Sequence, residues 1–184
     1  MHFVREGSSP FRGTKLFMAR SKTSNSIFKG IPVIDVAPLV KQEKDQILIK
    51  KTVSEMKDAC RNVGFFYITN HHISDSHIES LLLAVKGFFD LPLEEKLKIH
   101  IDKSNIFRGY TPLGEEVTNG KSDWHECIDF GPNPNDSSTD DIQNLTGPNQ
   151  WPGSQNSFKK IIKKHMRLMS GLGKRITQGL SISL

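Results

Sequence analysis

A helical face that stops at a glycine and passes straight into an aromatic strand constrains this chain more than any other feature. Between Lys41 and Val63 the apolar residues Ile49, Val53, Met56, Cys60 and Val63 recur at steps of three and four, one face of an amphipathic helix. Gly64 supplies the stop, and FFYIT (65–69) follows as a strand rich in β-formers. IPVIDV (31–36) reads as a second short buried strand, with Pro32 at an edge or entry position. Strands on both sides of a helix call for a mixed α/β (α+β) fold. The second strand runs into His71-His72. Adjacent strand residues point to opposite faces, so these rings do not share one ion while the strand continues. The pair reads as the strand's exit into a turn before Ser74.

The remaining periodicities extend this pattern. Ser74 or Asp75 is placed to cap a second helix, with Ile78, Leu81, Leu82, Val85, Phe88 and Phe89 on its inner side. LPLEEKL (91–97) opens a third, short helix, with Pro92 in its first turn and Glu94 and Glu95 near its positive end. Residues 101–123 read as loop with short extended pieces. WHECIDFG (124–131) reads as a strand that alternates Trp124, Glu126, Ile128 and Phe130 with His125, Cys127 and Asp129. Residues 131–157 are loop by their Pro, Asn, Asp, Ser and Gly content. From Phe158 to Leu180 a helix is predicted, its stripe formed by Phe158, Ile161, Ile162, Leu168, Met169, Leu172 and Ile176. Lysines and Arg167 fill the opposite face.

At 184 residues the chain is long enough for one domain with a real core. No apolar run approaches the roughly 18 residues of a membrane helix. Two cysteines, Cys60 and Cys127, give neither a disulfide framework nor zinc spacing, and a reducing, cytoplasmic setting is expected. Residues 1–30 hold six basic residues and one acid and are rich in Ser, a composition that also suits a plastid or mitochondrial transit peptide. This leader is expected to be disordered, leaving 31–184 as the folded domain. Residues 31–157 carry twelve basic and nineteen acidic groups, and 158–184 seven basic and none acidic. The net +5 therefore comes from the two ends, and a nucleic-acid-binding face is not indicated.

Several chemistry-bearing patterns compete. His100-Ile101-Asp102 is a literal H-x-D, with His165 and then Arg175-Ile176-Thr177 downstream. On paper this matches a two-histidine, one-carboxylate iron triad with a basic anchor. Such a triad needs rigid strands, whereas polar loop and helix fill the interval here. His165 falls in an apolar stripe, where a satisfied core histidine is commoner. Asp123, Glu126 and Asp129 around His125 suit either a cation or, more commonly, a partly solvated strand. Gly171-Leu172-Gly173 lacks the strand and the remaining glycines of a dinucleotide fingerprint. Neither cysteine has a base at readable spacing. Arg108-Gly109-Tyr110 sets a guanidinium and a phenol on a glycine-bearing loop, suited to clamping a carboxylate, with turn structure as the plainer reading. No catalytic, cofactor-binding or metal residue is assigned from the sequence.

The segments IPVIDV, ACRNVGFFYITNHHI, FFDLPLEEKLKI, FRGY, DWHECIDFG and GPNQWP occur in a familiar order and spacing. From about Ile31 onward the chain resembles the N-terminal region of the 2-oxoglutarate- and iron(II)-dependent dioxygenases, the isopenicillin N synthase-like group and its plant members above all. The resemblance implies the helices and few strands that precede the double-stranded β-helix (jelly-roll) barrel, with most of that barrel missing. The family's H-x-D, distal His and R-x-S would lie beyond Leu184. Fe(II) and 2-oxoglutarate are then expected for the full-length protein, with a small organic metabolite as substrate, and no activity for this chain alone. In relatives the segment matching FRGY borders the substrate, which implies substrate-binding roles for Arg108 and Tyr110. The family usually writes N-H-G-I where this chain has NHHI, so His72 replaces a glycine. The alternative is a non-catalytic binding or regulatory module. It would pair with a full-length relative, or offer the basic helix 158–176 to an acidic protein or membrane surface. Self-association through a barrel-facing surface is expected.

Overall fold

The structure, a computed structural model, describes residues 1–6, 30–41, 45–133, 138–153 and 156–183. The chain divides into two compact units. One combines Met1–Leu16 with Glu79–Lys163, the other Phe17–Ile78 with Lys164–Leu184.

The second unit is built around a parallel strand pair, β2 (Val33–Asp35) and β3 (Tyr67–Thr69), in the register Ile34↔Ile68. Helices α1 (Ala37–Val40) and α2 (Gln46–Asn62) lie between them in sequence, the crossover that parallel pairing needs. Local chemistry sets the ends. The Asp35 carboxylate accepts the Ala37 N–H at 2.8 Å, and Asp45 caps α2 by accepting the Ile47 N–H at 2.8 Å. Gly64, at φ +95°, donates to the Ala59 carbonyl at 3.0 Å and closes the helix. Ile34, Val36, Leu39, Val53, Met56, Ala59, Ile73 and, from α5 (Asn156–Ser183), Leu172 form the core. Two expectations are corrected here. Cys60 is exposed and Ala59 takes its inward place, because the stripe drifts round α2 by one position. The FFYIT strand is shorter than predicted and mostly exposed: with two strands among the described residues, the outward side leaves Val33, Phe65 and Tyr67 to solvent.

The first unit holds an antiparallel sheet in the order β1-β7-β4. Its strands are β1 (His2–Glu6), β7 (His125–Asp129) and β4 (Gly109–Thr111), in register His2↔Asp129 and Tyr110↔Ile128. β7 has a second edge to satisfy, and HFVRE at residues 2–6 supplies the backbone partners. Residues 7–29 lie outside the described residues. A small hairpin, β5 (Val117–Thr118) and β6 (Lys121–Ser122), precedes β7. Helices α3 (Asp75–Phe89) and α4 (Leu93–Leu97) and a 3-10 turn at Ile101–Lys103 complete the chain order. Ser74 caps α3 through the His77 N–H at 3.3 Å. The core is aromatic. Phe88 stacks on Phe158 at 5.2 Å and meets Phe89 and Tyr110 edge-on, and Phe130 stacks on Trp151 at 4.8 Å. Leu82 and Met169, predicted inward, are exposed at the margins of their stripes. Both faces of β7 are covered at its centre, with Cys127 and Ile128 each buried.

Candidate functional site

The segment 104–111 places Arg108 and Tyr110 within the first unit. Ser104 Oγ accepts the backbone N–H groups of Ile106 and Arg108 at 3.3 and 3.2 Å and shapes the turn. Phe107, at φ 56°, projects into solvent, while Arg108 on the next position is buried. The Arg108 guanidinium donates from Nη1 to the Ile106 and Phe107 carbonyls at 2.9 and 3.3 Å, and from Nη2 to the Leu145 carbonyl. Its Nε is buried without a hydrogen-bond partner among the described residues. Burial lowers the guanidinium's pKa, and the carboxylates of Asp129 and Asp140 oppose that shift. Gly131 makes room: a Cβ there would fall 2.0 Å from the guanidinium carbon. Gly109, at φ +126°, is needed as well, since a Cβ would meet the Ile99 carbonyl oxygen at 2.4 Å.

GPNQWP, legible in the sequence only as loop, proves to be a clasp. The Asn149 side chain accepts the Gly131 N–H at 2.8 Å and donates to the Gly131 carbonyl at 2.9 Å. Gln150 Nε2 donates to the carbonyls of His100 and Arg108 at 2.9 and 2.7 Å. Nothing in their spacing announced these two amides, because their partners lie 18 to 50 residues away.

Tyr110 heads a buried polar network that the sequence did not suggest. Its hydroxyl donates to Glu126 Oε2 at 2.6 Å, and Lys96 Nζ donates to the same oxygen at 2.6 Å and to the Phe89 carbonyl at 3.1 Å. The ammonium also lies 5.1 Å from the Tyr110 ring centroid. Burial, then the Glu126 hydrogen bond and charge, raise the phenol's pKa far above its ordinary value, so Tyr110 stays a neutral donor. The network ties α4 to β4 and β7.

The other candidates resolve individually. His71 Nδ1 accepts the Ile73 N–H at 3.1 Å and His72 is exposed, so the adjacent histidines form the turn, as read from the strand geometry. The H-x-D pair is spent locally. His100 Nδ1 accepts the Asp102 N–H at 3.2 Å, Nε2 pairs with Glu115 at 2.9 Å, and Asp102 is exposed. With both ring nitrogens engaged, that pair does not fit an iron centre. In the second unit His165 and His77 lie with ring centroids 5.4 Å apart, and among the described residues His165 Nδ1 and His77 Nε2 are buried without partners. Burial and then His77 hold His165 below the usual imidazole pKa, so it is kept neutral. Around His125 the anticipated acids diverge: Asp123 accepts from Thr118 at 2.6 Å and Glu126 joins Lys96. Glu116 is the acid that meets His125, at 2.7 Å, with the Cys127 thiol 4.0 Å from the same carboxylate oxygen. Burial pushes that thiol up to about 11.

The fold is that of the N-terminal part of an iron(II) oxygenase. A full-length Neurospora crassa protein, solved in complex with alpha-KG, superposes with a TM-score of 0.68 at 23% identity, covering 83% of this chain and 46% of that one. A 2OG-Fe(II) oxygenase family protein from Caulobacter crescentus gives 0.67 at 21%, covering 84% and 48%. The family described as "non-haem dioxygenase in morphine synthesis N-terminal" matches residues 31–154. The chain belongs to the 2-oxoglutarate- and iron(II)-dependent dioxygenases through this N-terminal domain. It is similar to homoarginine-6-hydroxylase 2-ODD-C23.2 of Arabidopsis thaliana, 39% identical over 84% of this chain and 45% of the relative. Homoarginine-6-hydroxylase 2-ODD-233 of Oryza sativa subsp. japonica is 36% identical over 86% and 50%. The chain spans about half the length of the curated relatives it matches.

Proposed function

We propose that this chain supplies the N-terminal part of an Fe(II)/2-oxoglutarate oxygenase that oxidises a small organic metabolite, and that it has no oxygenase activity alone. The observation that supports this most is the match of the dioxygenase N-terminal family over residues 31–154, in a chain whose own H-x-D is engaged elsewhere. Iron and 2-oxoglutarate would supply oxygen activation in the whole protein. The residues present here would shape the substrate side of the pocket. In this reading Arg108 and Tyr110 bear on substrate by fixing the 104–111 segment that presents Phe107, since their own donors are taken up by carbonyls and by Glu126. Four of the relatives are named for homoarginine, so an amino acid with a basic side chain is the first substrate class to try.

The test begins with the transcript. In-frame continuation past Leu184 into H-x-D, a distal His and R-x-S supports the reading. A stop codon there, with the short protein abundant in cells, favours a binding module instead. The purified 184-residue chain with Fe(II), 2-oxoglutarate and homoarginine should release no succinate above the protein-free control. Stoichiometric turnover would overturn the claim of inactivity.

A further inference from the structure

Strand β7 places His125 and Cys127 two residues apart, so both side chains leave the same face of the sheet. Glu116, just before β5, reaches the same place from the hairpin side. One ligand atom from each, the His125 ring nitrogen, the Cys127 sulfur and a Glu116 carboxylate oxygen, all lie within 4.8 Å of one another. Among the described residues this is the one group of three potential ligands that converges in this way. We propose that Glu116, His125 and Cys127 form a binding site for a zinc-class divalent cation.

The distances suit that assignment. Zinc held tetrahedrally at ~2.3 Å from sulfur and ~2.0 Å from nitrogen and oxygen sets its donors about 3.3–3.6 Å apart. The His125–Glu116 pair, at 2.7 Å, is closer than this, and the Cys127–Glu116 pair, at 4.0 Å, is wider. Meeting on one ion requires side-chain shifts of about 1 Å from atoms that all lie within 4.8 Å of one another. The donor set selects the metal. A thiolate and an imidazole favour Zn²⁺ or Co²⁺ over Mg²⁺ and Ca²⁺, which prefer oxygen alone. Thiolate and carboxylate together neutralise a dication, with the thiol proton passing to solvent on binding. The placement also provides a route in: Cys127 forms a buried floor, His125 is half-buried, and Glu116 at the mouth is exposed. Three protein ligands leave a fourth position for water. A plain structural latch, Glu116 on His125, explains two of these residues. The Cys127 thiol at 4.0 Å from the same carboxylate oxygen is a third converging donor, and the metal titration separates a ligand from a member of the latch.

Co²⁺ serves as the probe, since a cobalt–thiolate bond has its own charge-transfer absorption. Titrated into the reduced 184-residue chain, Co²⁺ should give one site per chain, with tetrahedral visible bands and the charge-transfer band, both displaced by Zn²⁺. Cys60→Ser should leave the spectrum unchanged, because Cys60 is exposed and elsewhere in the fold. Cys127→Ser should abolish the charge-transfer band. Glu116→Gln and His125→Asn should each weaken Zn²⁺ competition by more than about a hundredfold, beyond the roughly 10–100-fold that loss of an outer-shell partner typically costs. Glu116 is a surface residue, so that variant reports even if Cys127→Ser does not fold. A charge-transfer band that survives both Glu116→Gln and His125→Asn, or one lost in Cys60→Ser, overturns the site. So does a chain that binds no Co²⁺ while Glu116→Gln only lowers the melting temperature, which leaves the latch alone.

Discussion

His72 holds a backbone conformation that glycine adopts without penalty, at φ 59°. Asn70, two residues earlier, is at φ 57°, so the turn after β3 takes left-handed geometry at both positions. Left-handed backbone costs an L-residue about 1–2 kcal/mol. Replacing a residue with glycine costs about 0.4–1 kcal/mol through the unfolded chain. The strain is the larger effect, and His72 is exposed, so little packing is lost. His72→Gly is expected to stabilise the chain by roughly 0.5–1 kcal/mol, read as a rise in the denaturant midpoint with unchanged slope. A fall in the midpoint would mean that the imidazole makes a stabilising contact. This residue was legible in the sequence, because position along a strand fixes side-chain direction. Arg108 was less so. Its place on a glycine-bearing loop could be read, but not that it turns inward, since the Leu145 carbonyl it meets is 37 residues away. Gly109 and Gly131 were the available hint: neither site has room for a side chain.

Helix α4 is five residues long, too short to be stable by itself, and its attachment to the sheet decides whether it forms. That attachment is the Lys96–Glu126 ion pair, with side chains only 8% and 12% exposed. A buried pair is weak evidence of net stabilisation, because desolvation offsets most of the Coulomb gain. Removing one member is different, since it leaves an uncompensated charge behind. Glu126→Leu should therefore cost about 3–5 kcal/mol in chemical unfolding, while Lys96→Met/Glu126→Leu together should cost much less. Tyr110→Phe should lose about 1 kcal/mol, the ordinary net worth of one hydrogen bond. If both single substitutions at Lys96 and Glu126 were near neutral, the pair would be solvated and the network would not anchor α4. The sequence showed α4 through Pro92 and its leading acids, but not which of its charges turns inward. Helices in general were legible from period and caps. Stripe margins were not, which is why Leu82, Met169 and Cys60 fell on the wrong side. β1 was missed because a strand that borrows its partner from residues 125–129 looks, in composition, like any basic leader.

Each unit leaves large apolar side chains in water. In the second, Val33 and Tyr67 face each other across the β2–β3 pair and are 63% and 55% exposed, with Phe65 beside them at 55%. A two-stranded sheet is marginal by itself, and among the described residues both of its outer edges are open to pairing. In the first, Leu82 and Leu83 on α3 are 62% and 72% exposed. Fully burying a side chain of this size is worth roughly 1.5–3 kcal/mol, and a whole domain is stable by only about 5–15 kcal/mol. Three or four such residues without cover are thus comparable to the entire margin. In the function proposed above, a catalytic barrel would supply the cover. The 184-residue chain studied alone is therefore expected to bind hydrophobic dyes, melt broadly and self-associate as its concentration rises. The net charge of +5 opposes association only through groups concentrated at the chain ends, so added salt should strengthen it. Light scattering and dye fluorescence across a concentration series test this directly. A monomer at all concentrations, with one sharp melt and no dye signal, would show that the exposed residues need no partner. It would also shift the balance from an oxygenase segment toward a self-contained binding module.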